Sequence, residues 1–316
     1  MKALFDLAAP AKLNLFLHIV GRRADGYHLL QSLFVLIDWA DTLHMERRSD
    51  GQLIRHDVLG GDLPAADLCL RAARLLQAES GCNWGADLHL EKRLPAGAGM
   101  GGGSSDAATT LLGLNRLWDL HWPKAQLMEL GLMLGADVPF FLGGGPALVE
   151  GIGEILHPLQ LPEQRFAVLK GPAGLATRDI FASPRLARSE NLAIVAGFPA
   201  LAGTAENLVS GFGRNDLQPA AEALSGEVTQ ALVSLTKQFG NARMTGSGAA
   251  VFSVLPGLEE DKKDDTVRKD RNADECDPSV AAGLPALPAP PEGESAGWIG
   301  RICHSLAQHP LAGWAD

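Results

Sequence analysis

One glycine-dense run limits what this 316-residue chain can fold into: Pro95-Ala96-Gly97-Ala98-Gly99-Met100-Gly101-Gly102-Gly103-Ser104-Ser105-Asp106. Five of the seven residues from Gly97 to Gly103 are glycine. An apolar stretch with strand spacing, Asp87 to Leu94, precedes it, and helical spacing follows from about Ser104 to Trp118. Glycine reaches positive φ freely and lets backbone approach a ligand closely. Successive exposed N–H groups, with the positive end of a following helix, form a cradle for phosphate. Ser104 and Ser105 suit the N-cap, and their hydroxyls are also able to reach phosphate or a magnesium ion. The run lacks the lysine-bearing ending of a Walker A loop, and a flexible connector is its bland alternative.

The rest of the chain must then supply a protein able to hold polyphosphate. Hydrophobic residues make up 46% and charged residues 20%, the balance of a globular protein rather than a disordered one. The net charge of −10 argues against a nucleic-acid or anionic-membrane surface, so phosphate must be held by local devices. Four scattered cysteines, Cys69, Cys82, Cys276 and Cys303, form no CxxC pair and indicate neither a disulfide framework nor a structural zinc. Asp6, Lys12, Asn14 and His18 interrupt the first apolar stretch, which excludes a signal-type apolar region there. No run is long enough to span a membrane. A mature protein of the reducing cytoplasm is expected.

Strand-like alternation covers Leu13 to about Arg48, helical spacing Ala65 to Ala78, and a second helix Lys124 to Leu134. A proline-containing link around Pro158 to Glu163 divides the chain into residues 1–160 and 161–316. Beyond it, strands are expected at Phe166 to Leu169 and Ala249 to Leu255, with helices near Ala202 to Phe212 and Glu227 to Phe239. Residues 259–297 begin with nine acids and five bases and continue as a Pro/Ala/Gly-rich stretch. Neither part offers a periodic apolar face, so a disordered insertion without catalytic role is expected.

Two charged residues are candidates for chemistry. Asp137, in Gly135-Ala136-Asp137-Val138-Pro139, follows an apolar helix; the bland reading is a turn aspartate. Lys12, in Pro10-Ala11-Lys12-Leu13-Asn14-Leu15, heads an alternating strand; the bland reading is a solvated edge charge. Phosphoryl transfer to an alcohol wants a carboxylate to receive the hydroxyl proton and a cation to neutralise the transferring group.

Three blocks, Pro10 to Leu15, Pro95 to Ala108 and Arg243 to Phe252, resemble the conserved blocks of the GHMP kinases. Within that family the runs Gly21 to His28, Leu134 to Pro139 and Glu150 to Glu154 resemble members whose acceptor is a cytidine-diphosphate-linked sugar alcohol of isoprenoid synthesis. The resemblance runs from about Ala9 to Leu255 and resumes near His309. It implies an α+β fold of two domains, one like domain 2 of ribosomal protein S5 and one ferredoxin-like, with the active site in the cleft between them. It also implies ATP and Mg²⁺ as cofactors and a small-molecule acceptor as partner.

By the same resemblance Asp137 is the general base, Lys12 its partner, and Asn14 an orienting group. Tyr27, the chain's one tyrosine, stacks on the cytosine, Phe181 covers the other face, His28 bonds the polar edge, and Thr177 lies nearby. Pro95, Ala96, Gly97, Ala98, Gly99, Met100, Gly101, Gly102, Gly103, Ser104 and Ser105 wrap the ATP phosphates. Gly246, Ser247 and Gly248 form a second glycine turn beside the substrate phosphates or the first loop. Met100 stands where the family usually carries leucine, a volume-preserving exchange. Rival readings are a family member acting on a smaller alcohol, such as homoserine or mevalonate, and a non-catalytic nucleotide sensor. The sensor reading predicts loss of the base or the lysine, and both are present.

Overall fold

The computed structural model describes residues 2–59, 67–186, 213–255, 287–291 and 296–315. The helix expected near Ala202 to Phe212 lies outside them, as does most of 259–297.

The chain opens with two long antiparallel strands, β1 (Ala3–Arg22) and β2 (His28–Arg48), paired almost end to end. Strand β1 begins well before Leu13, because Asp6, Pro10 and Lys12 hide its early half from an alternation test. Pairing shifts register between Pro10 and Ala11 and again between Asn14 and Leu17. Proline has no N–H for the ladder, so a shift beside Pro10 is where it is tolerated. Such shifts bend a strand and re-aim its side chains, and these two bracket Lys12 and Asn14.

Both faces of the pair are buried. Leu13, Leu15, Leu33, Val35 and Ile37 pack toward Phe166, Val168 and Phe252. Leu17, Ile19, Phe34 and Leu36 belong to a second core beneath the helices. Strands β3 (Leu53–Leu59) and β4 (Gly85–Glu91) extend the sheet past β2. Helices α1 (Leu68–Ser80), α2 (Gly102–Leu117) and α3 (Lys124–Leu134) cover this part, with short α4 (Val138–Gly143) following α3. The β5–β6 hairpin (Ala147–Glu150, Ile155–Pro158) pairs through β5 with β2.

The remaining elements are β7 (Arg165–Lys170), α5 (Thr177–Phe181), α6 (Gln218–Leu224), α7 (Gly226–Phe239), β8 (Arg243–Met244), β9 (Val251–Leu255) and β10 (Ile299–Leu306). Strand β10 lies between β7 and β2, so the strand order runs β3-β4-β2-β10-β7-β9-β8. It joins β2 through only Ser305–Ile37 and Leu306–Leu36 but pairs with β7 over six residues. The fold is α+β.

Candidate active site

Lys12 is not the solvated edge charge its sequence context allows. It lies inside β1, 3% exposed, with its ammonium 2.5 Å from Asn14 Oδ1 and 3.6 Å from Asp137 Oδ2. The ammonium also sits 4.2 Å from the centre of the Phe34 ring. Burial pushes the Lys12 ammonium below the usual lysine range, opposed in part by the Asp137 charge and hydrogen bond. Asn14 is fixed in turn, donating from Nδ2 to Ser32 Oγ at 2.9 Å and from its backbone N–H to Thr245 Oγ1 at 2.9 Å. Asp137 occupies the cap position of α4, where Pro139 favours the helix start, and its side chain is one-third exposed.

The glycine run wraps around this pair. Gly97, Gly99 and Gly101 take φ of 60°, 71° and 72°, the left-handed region where a side chain is strained. The Lys12 N–H donates to the Met100 carbonyl at 3.0 Å, tying the strand that carries the cation to the loop. A β-carbon at Gly101 would lie 2.9 Å from Phe141 Cζ and 3.2 Å from Lys12 Cγ.

The second glycine turn docks on the first. Ala249 and Ala250 donate to the carbonyls of Gly97 and Ala98 at 2.9 and 3.1 Å, and a β-carbon at Gly99 would lie 2.5 Å from the Thr245 carbonyl oxygen. Gly99→Ala is therefore expected to cost at least about 1–2 kcal/mol from its left-handed φ alone. The expected readouts are a lower denaturant midpoint and weaker ATP binding.

Helix α2 begins at Gly102 behind a left-handed Gly101, so Ser104 and Ser105 sit in its first turn and not at its N-cap. The first amides of a helix lack carbonyl partners and point out of its end, here toward the cleft. Ser105 Oγ is buried and has no hydrogen-bond partner among the described residues; the same holds for Asp106 Oδ1. The other Asp106 oxygen accepts from Lys92 Nζ at 2.7 Å, and Lys92 also pairs with Asp41. Burial pushes the Asp106 carboxyl up to about 7 against the pull of Lys92. The sequence reading missed this cluster, since Asp41 and Lys92 meet only through β2–β4 pairing.

Every site residue singled out above except Ser105 lines one cleft of about 1090 Å³. At one end His28 stacks on Phe181 with ring centres 5.1 Å apart and planes at 23°. Tyr27 stands at the rim, 60% exposed. Helix α5 presents both Phe181 and Thr177, and Thr177 Oγ1 lies 2.8 Å from Ser247 Oγ. The other end, past the glycine run, is lined by Leu68, Arg71, Lys92 and Leu94. Lys12 and Asp137 lie on the cleft wall with the glycine turns. A cation, a carboxylate and a glycine-rich turn thus share one groove with the stacked His28 and Phe181 rings and with Tyr27.

Comparison with known proteins gives the family. The family model described as GHMP kinases N terminal domain matches residues 67–145, and that described as GHMP kinases C terminal matches 198–273. A 4-diphosphocytidyl-2-C-methyl-D-erythritol kinase of Methylibium petroleiphilum is 54% identical, covering 100% of this chain and 99% of the relative. The protein of the same name from Variovorax paradoxus is 52% identical, with 100% of both chains covered. Among solved structures, a 4-(cytidine 5'-diphospho)-2C-methyl-D-erythritol kinase superposes with a TM-score of 0.67 at 35% identity, over 79% of this chain and 89% of that one. A homoserine kinase from Cytophaga hutchinsonii shares the fold, with a TM-score of 0.62 at 16% identity over 82% and 87% of the two chains.

Proposed function

Because the chain belongs to the GHMP kinase family, we propose that it transfers the γ-phosphoryl group of ATP to the 2-hydroxyl of 4-diphosphocytidyl-2-C-methyl-D-erythritol. The product is the 2-phosphate, a step of the non-mevalonate route to isoprenoid precursors. The observation that carries the proposal is the Lys12–Asp137 pair, 3.6 Å apart against the glycine cradle, in the same cleft as Tyr27, His28 and Phe181.

In this mechanism the amides of Gly97 to Ser104 at the start of α2 hold the ATP phosphates, with adenosine toward Leu68, Lys92 and Leu94; the Ser105 amide is already bonded to the Gly101 carbonyl. Asp137 accepts the proton of the acceptor hydroxyl as its oxygen approaches the γ-phosphorus. Lys12 balances charge building on the transferring group, and Asn14 keeps the ammonium aimed. Ser104 and Asp106, which line the cleft, are the oxygen donors that would hold Mg²⁺, since that ion is commonly held by few protein oxygens together with substrate phosphates. The unpartnered Asp106 Oδ1 fits it, and Mg²⁺ held there would neutralise phosphate charge. In this reading the ATP-binding lobe ends near residue 160, and the tail from His309 to Ala315 returns to it, His309 donating its N–H to the Gly144 carbonyl at 2.6 Å and Lys124 its N–H to the Ala315 carbonyl at 3.0 Å. Cytoplasmic residence goes with this reading; among the described residues no helix is long and apolar enough to cross a membrane.

In this reading Tyr27 and Phe181 hold the cytosine between rings, and His28, which rests against the Phe181 ring in this structure, turns to the polar edge of the base. Removing one ring is expected to cost about 1–3 kcal/mol, about 5- to 150-fold in acceptor KM. Tyr27→Ala and Phe181→Ala should show this rise in steady-state kinetics with the KM for ATP unchanged.

The test of the assignment is ADP release in a coupled assay across a panel of acceptors. The cytidine-linked alcohol is expected to support turnover, while free 2-C-methyl-D-erythritol 4-phosphate, homoserine and mevalonate do not. Comparable turnover with an acceptor lacking cytidine would overturn the substrate assignment.

A further inference from the structure

The turn between β5 and β6, Glu150-Gly151-Ile152-Gly153-Glu154, has no part in the chemistry above, yet it abuts the reacting carboxylate. Among the described residues, Asp137 has its polar contact with Lys12 on the Oδ2 side. On the other side lies Gly153, at φ +124°. A β-carbon built there would lie 3.6 Å from Asp137 Oδ1 and 3.3 Å from Ala136 Cβ. The carboxylate is thus bounded by an ammonium on one side and a glycine on the other.

The turn is held by its own sequence. The Glu154 carboxylate folds back and accepts the Ile152 N–H at 2.6 Å. It fills the space beside Gly151, where a β-carbon would lie 2.5 Å from Oε2 and where φ is +71°. Two further bonds fasten the turn to β2 near the ring-binding end of the cleft. Leu30 donates its N–H to the Gly151 carbonyl at 2.8 Å, and Gln31 Nε2 donates to Glu150 Oε1 at 2.8 Å. Leu30 is two residues beyond His28, and both Leu30 and Ile152 line the cleft.

We infer that Glu154 is a positioning residue for the base: by locking the Gly151–Glu154 turn it sets where Asp137 Oδ1 can lie. The inference rests on the reading of Asp137 as the base. Glu154 touches neither acceptor nor nucleotide in this account; it acts through Gly153. Displacing a reacting group by about 1 Å costs up to about 10²-fold in rate, and loosening this turn frees the carboxylate to move on that scale.

The experiment compares full-length wild type, Glu154→Ala, Glu154→Gln and Asp137→Asn for kcat, for KM of each substrate and for thermal melting. Glu154→Ala is expected to lower kcat about 10- to 100-fold with the KM for ATP unchanged. Glu154→Gln keeps an oxygen acceptor for the Ile152 N–H and should recover most of that loss. Wild-type kcat in Glu154→Ala, or a Glu154→Gln as impaired as the alanine variant, overturns the inference. An active Glu154→Ala beside an inactive Asp137→Asn would remove this inference alone. An active Asp137→Asn would remove the base assignment and the inference with it. If Glu154→Ala does not fold, Gly153→Ala reads the same contact: kcat should fall at constant KM for ATP, and an unchanged kcat overturns the inference.

Discussion

Replacing Asp137 with asparagine should leave a folded protein that binds ATP and turns over about 10²- to 10⁴-fold more slowly, the usual contribution of a positioned base. Asparagine keeps the shape at the α4 cap but cannot accept the hydroxyl proton. The glycine cradle is built from backbone whose contacts run to Lys12, Thr245, Ala249 and Ala250, not to Asp137. ATP affinity, read by calorimetry or fluorescence, should therefore stay at the wild-type value while kcat collapses. A loss of ATP binding parallel to the loss of turnover would make Asp137 part of the nucleotide site instead.

The second large effect is at Lys12. Lys12→Ala should lower kcat about 10²- to 10³-fold, the scale of one charge-stabilising group in a site that excludes water. The pH profile distinguishes a catalytic cation from a structural one. Burial lowers the Lys12 pKa, and the ammonium is the form present below that pKa. Raising the pH through it removes the cation, so the rate must fall on the alkaline side, below the ordinary lysine value of about 10.4. That alkaline limb should vanish in Lys12→Ala, whose residual rate no longer depends on this group. Lys12→Arg keeps the charge but replaces a compact ammonium with a planar fork. With Asn14 Oδ1 only 2.5 Å away and Phe34 beneath, it should recover little of the rate.

The glycine cradle was legible because its chemistry is local: one run of residues sets the turn, the amides and the helix start. The resemblance named Lys12, Asp137 and the ring residues, and all of them line one cleft. Their convergence was not legible from spacing, since it depends on β1 pairing along β2 and on α4 folding back over Gly101. Lys12 looked like an edge charge because neighbouring residues do not reveal that both faces of β1 are covered. Ser104 and Ser105 resembled caps, but a left-handed Gly101 lets α2 begin before them.

Other elements lacked any local signal. Helix α5 has five residues, too few for a period, and β10 follows a proline-rich stretch and is defined by its partners β7 and β2. The Lys92–Asp106–Asp41 cluster was missed for the same reason, since its members come from α2 and two regions of the sheet. The Glu154 fold-back was invisible as well; a glutamate after two glycines reads as an ordinary turn.

The central claim is that Lys12 and Asp137 together move a phosphoryl group from ATP to an alcohol. Phosphorus-31 NMR of the wild-type reaction with ATP, Mg²⁺ and 4-diphosphocytidyl-2-C-methyl-D-erythritol tests it most directly. The predicted spectrum gains one phosphomonoester resonance in step with ADP, while the acceptor's own diphosphate stays intact. ADP accompanied by inorganic phosphate, or nucleotide that stays unchanged while bound, would contradict it.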